Sequence, residues 1–528
     1  MSKPKVLISD KLDPLAVEIF EKNGCEVDFK PGLSPEELLE IIPQYHGLAI
    51  RSATTVTPEV LEAATNLKVV GRAGIGVDNV DIPKATEKGV VVMNTPFGNS
   101  ITTAEHAIAM MFALARQIPQ ANESTHAGKW EKKRFMGTEL YNKVLGVIGC
   151  GNIGGIAASR GVGLKMQVIA FDPFLTEERA ADLGVKKVEL DELFAKSDFI
   201  TIHVPKNDKT ANLICKENIA KMKDGVRIIN CARGGIVNEA DLKEALDSGK
   251  VAGAALDVFE KEPAEDNVLF GLDNVICTPH LGASTTEAQV NVAVQVADQM
   301  GDFLVDGAVT NALNMAPISA EDAPKLTPYL TLAAQLGAFA GQISENAITK
   351  VEVEYQGHVT NLNTRPISDT LFAAILKTFR SEINMVNVRN MLKDMKVSVI
   401  ESATDECEEF LTAIELTIYT EQNTRSVTGT LFAGKEPRIV DIEGVPIEAP
   451  ITDHMLFIRN EDSPGLIGGI GTILADADIN IADFRLGRKN GGGQAVALIA
   501  IDGMLSDDVY QKVKALPQVR LAKSLSFV

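Results

Sequence analysis

The chain has 528 residues, of which 45% are hydrophobic and 23% are charged, and its formal net charge is −20 at pH 7. This length is too great for one core and predicts about three or four domains, while the negative charge argues against a nucleic-acid or membrane-surface partner. No apolar run approaches the about 18 residues that span a bilayer, and the opening MSKPKVLISD lacks a signal-like apolar region. The 6 cysteines form neither a CxxC pair nor a disulfide pattern, so we expect a cytoplasmic protein without a metal site.

Residues 1 to about 95 alternate short apolar runs with amphipathic segments, from KVLISD to LKVVGRAG. Such alternation predicts a parallel sheet flanked by helices. Ser34 and Thr57, each followed by proline and an acidic residue, predict two helix starts. The segment Asn99–Arg116 predicts a long helix that ends near Pro119 and leads into a second unit.

The second unit opens on a strand, a glycine-rich turn and a helix, followed by another strand. Gly149 makes the turn, Gly151 lets backbone N–H groups approach a pyrophosphate, and Gly154 lets the helix pack on the strand. The pyrophosphate then lies at the positive end of the helix dipole. Asp172 ends the next strand, where a carboxylate accepts hydrogen bonds from the adenosine ribose and repels a 2′-phosphate. The pattern therefore predicts NAD rather than NADP.

Three residues that could carry chemistry follow later apolar runs of this unit. They are Arg233 in CARGG, Glu262 in FEKEP and His280 in TPHLGAS. Because ligands bind outside the carboxyl ends of parallel strands, we expect all three at one sheet edge. Oxidation of a 2-hydroxy acid needs a base, a group that orients the base, and a cation for the carboxylate. His280, Glu262 and Arg233 suit these roles in that order.

In the remainder of the chain the pattern of predicted secondary structure changes twice. Thr285–Phe303 predicts a helix that returns to the first unit, which makes that unit discontinuous. Residues 317–450 mix helical segments with antiparallel hairpins, and Pro446–Pro450 marks a boundary. The final segment, which runs to Val528, predicts a small βαββαβ module.

The motifs GCGNIG, CARGG, ALDVFEKEP and TPHLGAST, in this order, resemble the D-2-hydroxyacid dehydrogenase family, and the domain order resembles its long form with a C-terminal ACT domain. The resemblance implies an α/β fold whose NAD-binding domain, over 99–283, is a Rossmann-type doubly wound parallel sheet. It also implies a discontinuous flavodoxin-like substrate domain (1–98 and 284–310), an α+β intervening oligomerisation domain (317–450) and a regulatory βαββαβ ACT domain (454–528). The implied activity is NAD-dependent oxidation of D-3-phosphoglycerate to 3-phosphohydroxypyruvate, the entry to L-serine biosynthesis.

The resemblance further implies residue roles, with Arg233, Glu262 and His280 as the catalytic set. The implied cofactor-binding residues are Gly149, Gly151, Asn152, Ile153, Gly154, Asp172, Val204, Cys231, Ala232, Arg233, Asp257, His280, Gly282 and Ala283. The implied substrate-binding residues are Arg51, Ser52, Arg72 and Gly74, and the implied serine effector site contains Asn460, Asp462 and Asn480. Val204 and Ile75 stand where relatives often carry threonine, so only backbone contacts are expected there.

Several alternatives stay open at this point. The substrate phosphate has two candidate sites, Arg51 and the basic cluster Lys129–Arg134, which could act from a neighbouring subunit or simply be solvated. The ACT module could bind L-serine or only dimerise, and a homotetramer or homodimer is expected. Another D-2-hydroxy acid, of the glyoxylate or hydroxypyruvate type, is an alternative substrate. A non-enzymatic NAD-sensing protein is the alternative of a different class, against which the intact catalytic set argues.

Overall fold

A five-stranded sheet forms the first unit of the computed structural model, which describes residues 3–319, 321–489 and 493–527. Its strands are β1 (Lys5–Ile8), β2 (Glu26–Phe29), β3 (Gly47–Ile50), β4 (Val69–Arg72) and β5 (Val91–Asn94), and its helices are α1 (Leu15–Lys22), α2 (Pro35–Ile41), α3 (Pro58–Ala63) and α4 (Ile82–Glu87). All strands are parallel in the order β2-β1-β3-β4-β5, which is the flavodoxin-like order. The predicted helix starts are confirmed, since the Ser34 and Thr57 side chains cap α2 and α3.

A seven-stranded parallel sheet forms the second unit. Its helices are α5 (Ser100–Arg116), α6 (Ile118–His126), α7 (Asn152–Gly163), α8 (Glu177–Leu183), α9 (Leu190–Lys196), α10 (Lys216–Lys221) and α11 (Glu239–Asp247). Its strands are β6 (Val144–Ile148), β7 (Gln167–Phe171), β8 (Lys186–Lys187), β9 (Phe199–Ile202), β10 (Val226–Asn230), β11 (Val251–Leu256) and β12 (Val275–Cys277). The order β12-β11-β10-β9-β6-β7-β8 is that of the predicted doubly wound sheet, in which the winding direction reverses beside β6.

Two long helices connect these units. The helix predicted over Asn99–Arg116 is confirmed as α5, which ends at Arg116. Gln117 then adopts a left-handed conformation (φ 51°), and Pro119 lies in the first turn of α6. After the second sheet, α12 (Thr286–Asp306) returns to the first one. A side chain at Gly71 of β4 would lie 2.1 Å from the sulfur of Met300 on α12, so glycine allows this close packing.

A six-stranded sheet and three helices form the third unit. Its elements are α13 (Ala323–Ile343), β13 (Ile348–Gly357), α14 (Arg365–Lys377), α15 (Val388–Asp394), β14 (Ser398–Thr404), β15 (Thr412–Thr420), β16 (Thr424–Phe432), β17 (Glu436–Ile442) and β18 (Val445–Ala449). Helices α13 and α14 pack against each other. The order is β14-β13-β15-β16-β17-β18, antiparallel except for the parallel pair β13–β14. The segment Pro446–Pro450, predicted to be a boundary, largely belongs to β18. This strand lies at the sheet edge, where a proline removes no hydrogen bond from the ladder.

The last unit is the predicted βαββαβ module. Its elements are β19 (His454–Glu461), α16 (Leu466–Asp476), β20 (Ile481–Arg488), β21 (Gln494–Ile501), α17 (Asp507–Lys514) and β22 (Val519–Ser526). They form an antiparallel sheet in the order β20-β21-β19-β22. Among the described residues, none of the helices combines the length and the apolar character that crossing a membrane requires.

Candidate active site

The three predicted catalytic residues lie on loops that follow neighbouring strands. Arg233 follows β10, Glu262 follows β11 and His280 follows β12, and these strands are adjacent in the sheet. The Nδ1 atom of His280 lies 2.6 Å from Oε2 of Glu262. The other oxygen of Glu262 accepts a hydrogen bond from the backbone N–H of Phe259 (2.9 Å), which fixes the carboxylate. The geometry therefore leaves Nε2 of His280 for proton transfer.

Arg233 reaches across to the first sheet. Its Nε donates to Oδ2 of Asp78 at 3.0 Å, and Asp78 belongs to the loop after β4. A side chain at Gly76 in the same loop would lie 1.8 Å from an Arg233 guanidinium nitrogen. The two units thus meet at this guanidinium, and the space around it depends on glycine.

Three arginines lie close together at this meeting point. Burial, together with the nearby positive charges of Arg233 and Arg51, lowers the pKa of Arg72 to about 10. The buried Nε of Arg72 has no hydrogen-bond partner among the described residues. A side chain at Gly74 (φ 142°) would lie 1.5 Å from Arg72, so only glycine gives this guanidinium its place. Such a concentration of positive charge suits a small ligand with more than one anionic group.

The loop that bears Arg51 and Ser52 is held by a buried carboxylate. Oδ2 of Asp10 accepts the backbone N–H of Arg51 (2.6 Å), Ala53 (3.1 Å) and Thr54 (3.2 Å). Its Oδ1 accepts the Thr54 hydroxyl at 2.6 Å. Asp10 therefore sets the position of both predicted substrate-binding residues of this loop.

The glycine-rich turn fits a dinucleotide. A side chain at Gly154 would lie 1.8 Å from the carbonyl oxygen of Gly149, whereas the space beside Gly151 is open. The N-terminus of the 12-residue helix α7, where Asn152 and Ile153 lie, points toward this opening. A cavity of about 600 Å³ adjoins the turn and is lined in part by Gly151 and Asn152. This geometry accommodates the pyrophosphate of a dinucleotide without a steric conflict.

The other predicted cofactor residues lie at the same strand ends. Oδ2 of Asp172 accepts the N–H of Cys150 and Oδ1 accepts that of Phe174, both at 2.8 Å, which leaves lone pairs for ribose hydroxyls. Burial raises the pKa of the Cys231 thiol, so it stays neutral. Val204 lies in the loop after β9, and Cys231 and Ala232 follow β10 directly. Gly282 and Ala283 lie further along the loop that follows β12.

Asp257, predicted to contact the cofactor, also holds the His280 loop. Its carboxylate is fully buried and accepts the N–H of Leu281 (2.7 Å) and of Gly282 (2.8 Å). Nε2 of His106 lies 3.2 Å from the same carboxylate. The sequence analysis did not identify His106. The signal that could have identified it is its position next to the buried face of α5.

The predicted effector residues do not meet within one chain. Asn460 pairs with Ala495, whereas Ile481, the neighbour of Asn480, pairs with Ile501 at the other end of β21. Ala495 and Ile501 are six positions apart along β21, which corresponds to about 20 Å. A site that combines Asn460, Asp462 and Asn480 would therefore need two copies of the module, and the effector site stays a prediction.

The basic cluster Lys129–Arg134 lies in a turn after α6. Arg134 forms an ion pair at 3.1 Å with Asp273, which precedes β12. The cluster is thus anchored at the amino end of β12, whereas His280 follows its carboxyl end. It is therefore unsuited to binding the substrate phosphate of its own subunit.

Comparisons with known proteins define the class of this site. The family described as D-isomer specific 2-hydroxyacid dehydrogenase, NAD binding domain, matches residues 108–282. A crystal structure of a glyoxylate reductase from Paecilomyes thermophila superposes with a TM-score of 0.56 and 29% identity, covering 59% of this chain and 99% of that chain. The second unit is thus an NAD-binding domain of a D-isomer-specific 2-hydroxyacid dehydrogenase.

The remaining units identify the family more closely. The D-3-phosphoglycerate dehydrogenase intervening domain matches residues 325–443, and the ACT domain matches residues 454–518. D-3-phosphoglycerate dehydrogenase of Synechocystis is 43% identical over 98% of this chain and 93% of its own length. That of Archaeoglobus fulgidus is 43% identical over 97% of this chain and 98% of its own length. The chain belongs to the D-3-phosphoglycerate dehydrogenase family.

Proposed function

We propose that this chain oxidises D-3-phosphoglycerate to 3-phosphohydroxypyruvate with NAD, as the first step of L-serine biosynthesis. The main support is the cluster of Arg51, Arg72 and Arg233, because Arg233 shares its sheet edge with the His280–Glu262 pair. The substrate carries both a carboxylate and a phosphate, and each needs a cationic partner.

In this proposal the protein orients the substrate and moves one proton. Bound NAD supplies a nicotinamide ring that accepts the C2 hydride. His280 receives the hydroxyl proton at Nε2, and Glu262 at Nδ1 stabilises the imidazolium that forms. Arg233 binds the carboxylate with the N–H groups that Asp78 and the Ala232 carbonyl leave available. Arg51 is our candidate for the phosphate within one chain.

Another D-2-hydroxy acid is the second candidate substrate. The similarity of 59% of the chain to a glyoxylate reductase favours it. An unphosphorylated acid, however, has only its carboxylate, so it offers no second anionic group to pair with the charges of Arg51 and Arg72. A protein that only senses NAD needs no acid/base pair, so the 2.6 Å contact between His280 and Glu262 argues against that class.

NADH formation by the full-length protein tests the proposal. With D-3-phosphoglycerate, D-glycerate and D-lactate compared, we expect kcat/KM for the phosphorylated acid to exceed the others by on the order of 100-fold, as the loss of a charge-assisted contact predicts. Arg51→Gln should remove this preference, whereas Lys132→Gln in the basic cluster serves as the matched control. Equal rates for the three acids would refute phosphoglycerate as the substrate, and no NADH with any acid would favour the sensing protein.

L-serine inhibition through the ACT module is a further part of the proposal. Because Asn460 and Asn480 lie at opposite ends of the sheet, two modules related by a two-fold axis could combine Asn460 and Asp462 of one copy with Asn480 of the other. The effector site therefore requires at least a homodimer. Exposed Trp130 and Met136 offer apolar surface for subunit contacts.

The domain limits and the location stay predictions. We retain 1–98 with 284–310, 99–283, 317–450 and 454–528 as the proposed domains, which agree with the four sheets in order. We propose a cytoplasmic location for the protein from the scattered cysteines alone.

A further inference from the structure

We propose that His106 is a positioning residue for the dehydrogenase reaction: through Asp257 it holds the loop that presents His280. The inference rests on the proposed function and adds one residue to its machinery. His106 lies on α5, outside the motifs that define the site.

The loop around His280 needs such support. His280 has a φ of 55°, in the left-handed region that residues other than glycine rarely adopt. A backbone in this conformation persists where the surrounding structure holds it. Asp257 supplies the hold: its carbonyl oxygen accepts the His280 N–H at 2.9 Å, and its carboxylate accepts the N–H groups of Leu281 and Gly282.

The carboxylate of Asp257 in turn needs compensation, because it is fully buried. The Thr278 hydroxyl donates to Oδ1 at 2.6 Å, and Nε2 of His106 lies 3.2 Å from the same oxygen. Among the residues that the structure describes, His106 is the only basic side chain within ion-pair distance of Asp257. Burial alone would raise the pKa of Asp257, but the hydrogen bonds from His106, Thr278 and Leu281 outweigh it and hold this pKa below its ordinary value.

Cys231 is the third side chain of the group around the Asp257 carboxylate. Ligand atoms of His106, Cys231 and Asp257 lie within 4.8 Å of one another. Burial raises the pKa of the Cys231 thiol, so the thiol carries no charge to compete for His106. Both oxygens of Asp257 are already hydrogen-bond acceptors. The group therefore suits a hydrogen-bonded network that orients the His280 loop.

His106 also connects the loop to the helix at the crossing between the two sheets. It lies on the second turn of α5, which begins directly after the first unit. Nε2 of His106 is 3.3 Å from the Thr278 hydroxyl, so it contacts both the carboxylate and the first residue after β12. A loss of His106 would loosen the support of His280 without removing any group that touches the substrate.

The test compares His106→Ala, His106→Gln and the exposed neighbour variant Glu105→Ala in the full-length protein. We expect His106→Ala to lower kcat about tenfold or more, with little change in KM for D-3-phosphoglycerate, as the loss of a hydrogen bond to a buried charge predicts. The amide of His106→Gln can donate in place of Nε2, so it should restore most of kcat. Glu105→Ala should match the parent.

A double-variant comparison shows whether His106 acts through Asp257. In an Asp257→Asn background, His106→Ala should cause little further loss of kcat. Equal additional losses in both backgrounds, or a kcat of His106→Ala equal to the parent, would overturn the inference. A lower melting temperature with unchanged kcat would assign His106 a structural role and also overturn it. If the parent protein has no activity, both the proposed function and this inference are refuted. If the parent is active and His106→Ala is equally active, only the inference is refuted.

Discussion

Replacing Asp10 with alanine tests whether a buried carboxylate fixes the position of the loop that we propose to bind the substrate. Asp10 is 3% exposed and accepts four hydrogen bonds from residues 51 to 54. Alanine leaves these donors, the Arg51 backbone N–H among them, without their acceptor, but the Arg51 side chain stays in the protein. The effect should therefore appear in substrate binding more than in the chemical step.

The size of the effect follows from these bonds. At about 0.5–1.5 kcal/mol net for each bond, and with water replacing some of them in a partly exposed loop, the total loss is about 2–4 kcal/mol. If about 1.5–3 kcal/mol of this is lost from the bound state, KM for D-3-phosphoglycerate rises by about 10- to 100-fold. The Asn variant keeps one acceptor oxygen and should lie between the parent and the Ala variant.

Steady-state NADH formation at several substrate concentrations measures this change. The matched control is Asp13→Ala, because Asp13 lies in the same segment but its carboxylate accepts a single hydrogen bond from the residues that the structure describes, the one from the Leu15 backbone N–H. It should leave KM within about twofold of the parent. An Asp10→Ala protein with the parent's KM would refute the role of this carboxylate. A fall in kcat alone would also contradict it.

Four shorter predictions concern other parts of the chain. His280→Ala should lower kcat by about 1,000-fold or more while NADH binding, measured by fluorescence titration, stays nearly intact; normal turnover would contradict the assignment. Asp172→Ala should weaken NAD binding and reduce the preference over NADP in kcat/KM, and unchanged selectivity would mean that other residues bind the ribose. Asn480→Ala should raise the L-serine concentration needed for inhibition, and equal sensitivity to the parent would refute the effector site. Burial lowers the pKa of His203 to about 4 from an ordinary 6.5, so the unfolded chain binds a proton first as the pH falls. Stability should thus be about 2 kcal/mol lower near about pH 5 than near about pH 7, a loss that His203→Gln should reduce in thermal unfolding and that an unchanged pH profile would contradict.

Most of the fold followed from local patterns in the sequence. The alternation of apolar runs and helices predicts parallel sheets, because each helix must cover the sheet that its flanking strands form. The details that differ are local. Pro119 begins a helix because Gln117 turns the chain beforehand, and Pro446 is tolerated inside a strand because that strand lies at an edge. Neither effect is visible without the neighbouring elements.

Contacts within the candidate site could be predicted where each residue lies just after a strand of the same sheet. His280 and Glu262 met the expectation of contact because their strands are adjacent. The effector residues did not meet, because Asn460 and Asn480 lie at opposite ends of one antiparallel sheet. Spacing along the chain does not distinguish a contact within one subunit from a contact between two.

The residues that sequence reasoning missed or only partly explained share one physical arrangement. Asp10, Asp172 and Asp257 each stand one or two positions after a buried parallel strand, and each accepts backbone N–H groups from a neighbouring loop. The loops in question present Arg51, the glycine-rich turn and His280. A carboxylate at this position ties a flexible loop to a rigid strand end, because an ionised acceptor forms stronger hydrogen bonds than a neutral one. An aspartate directly after a buried parallel strand is therefore a signal for a residue that positions an active-site loop, even where it touches no ligand.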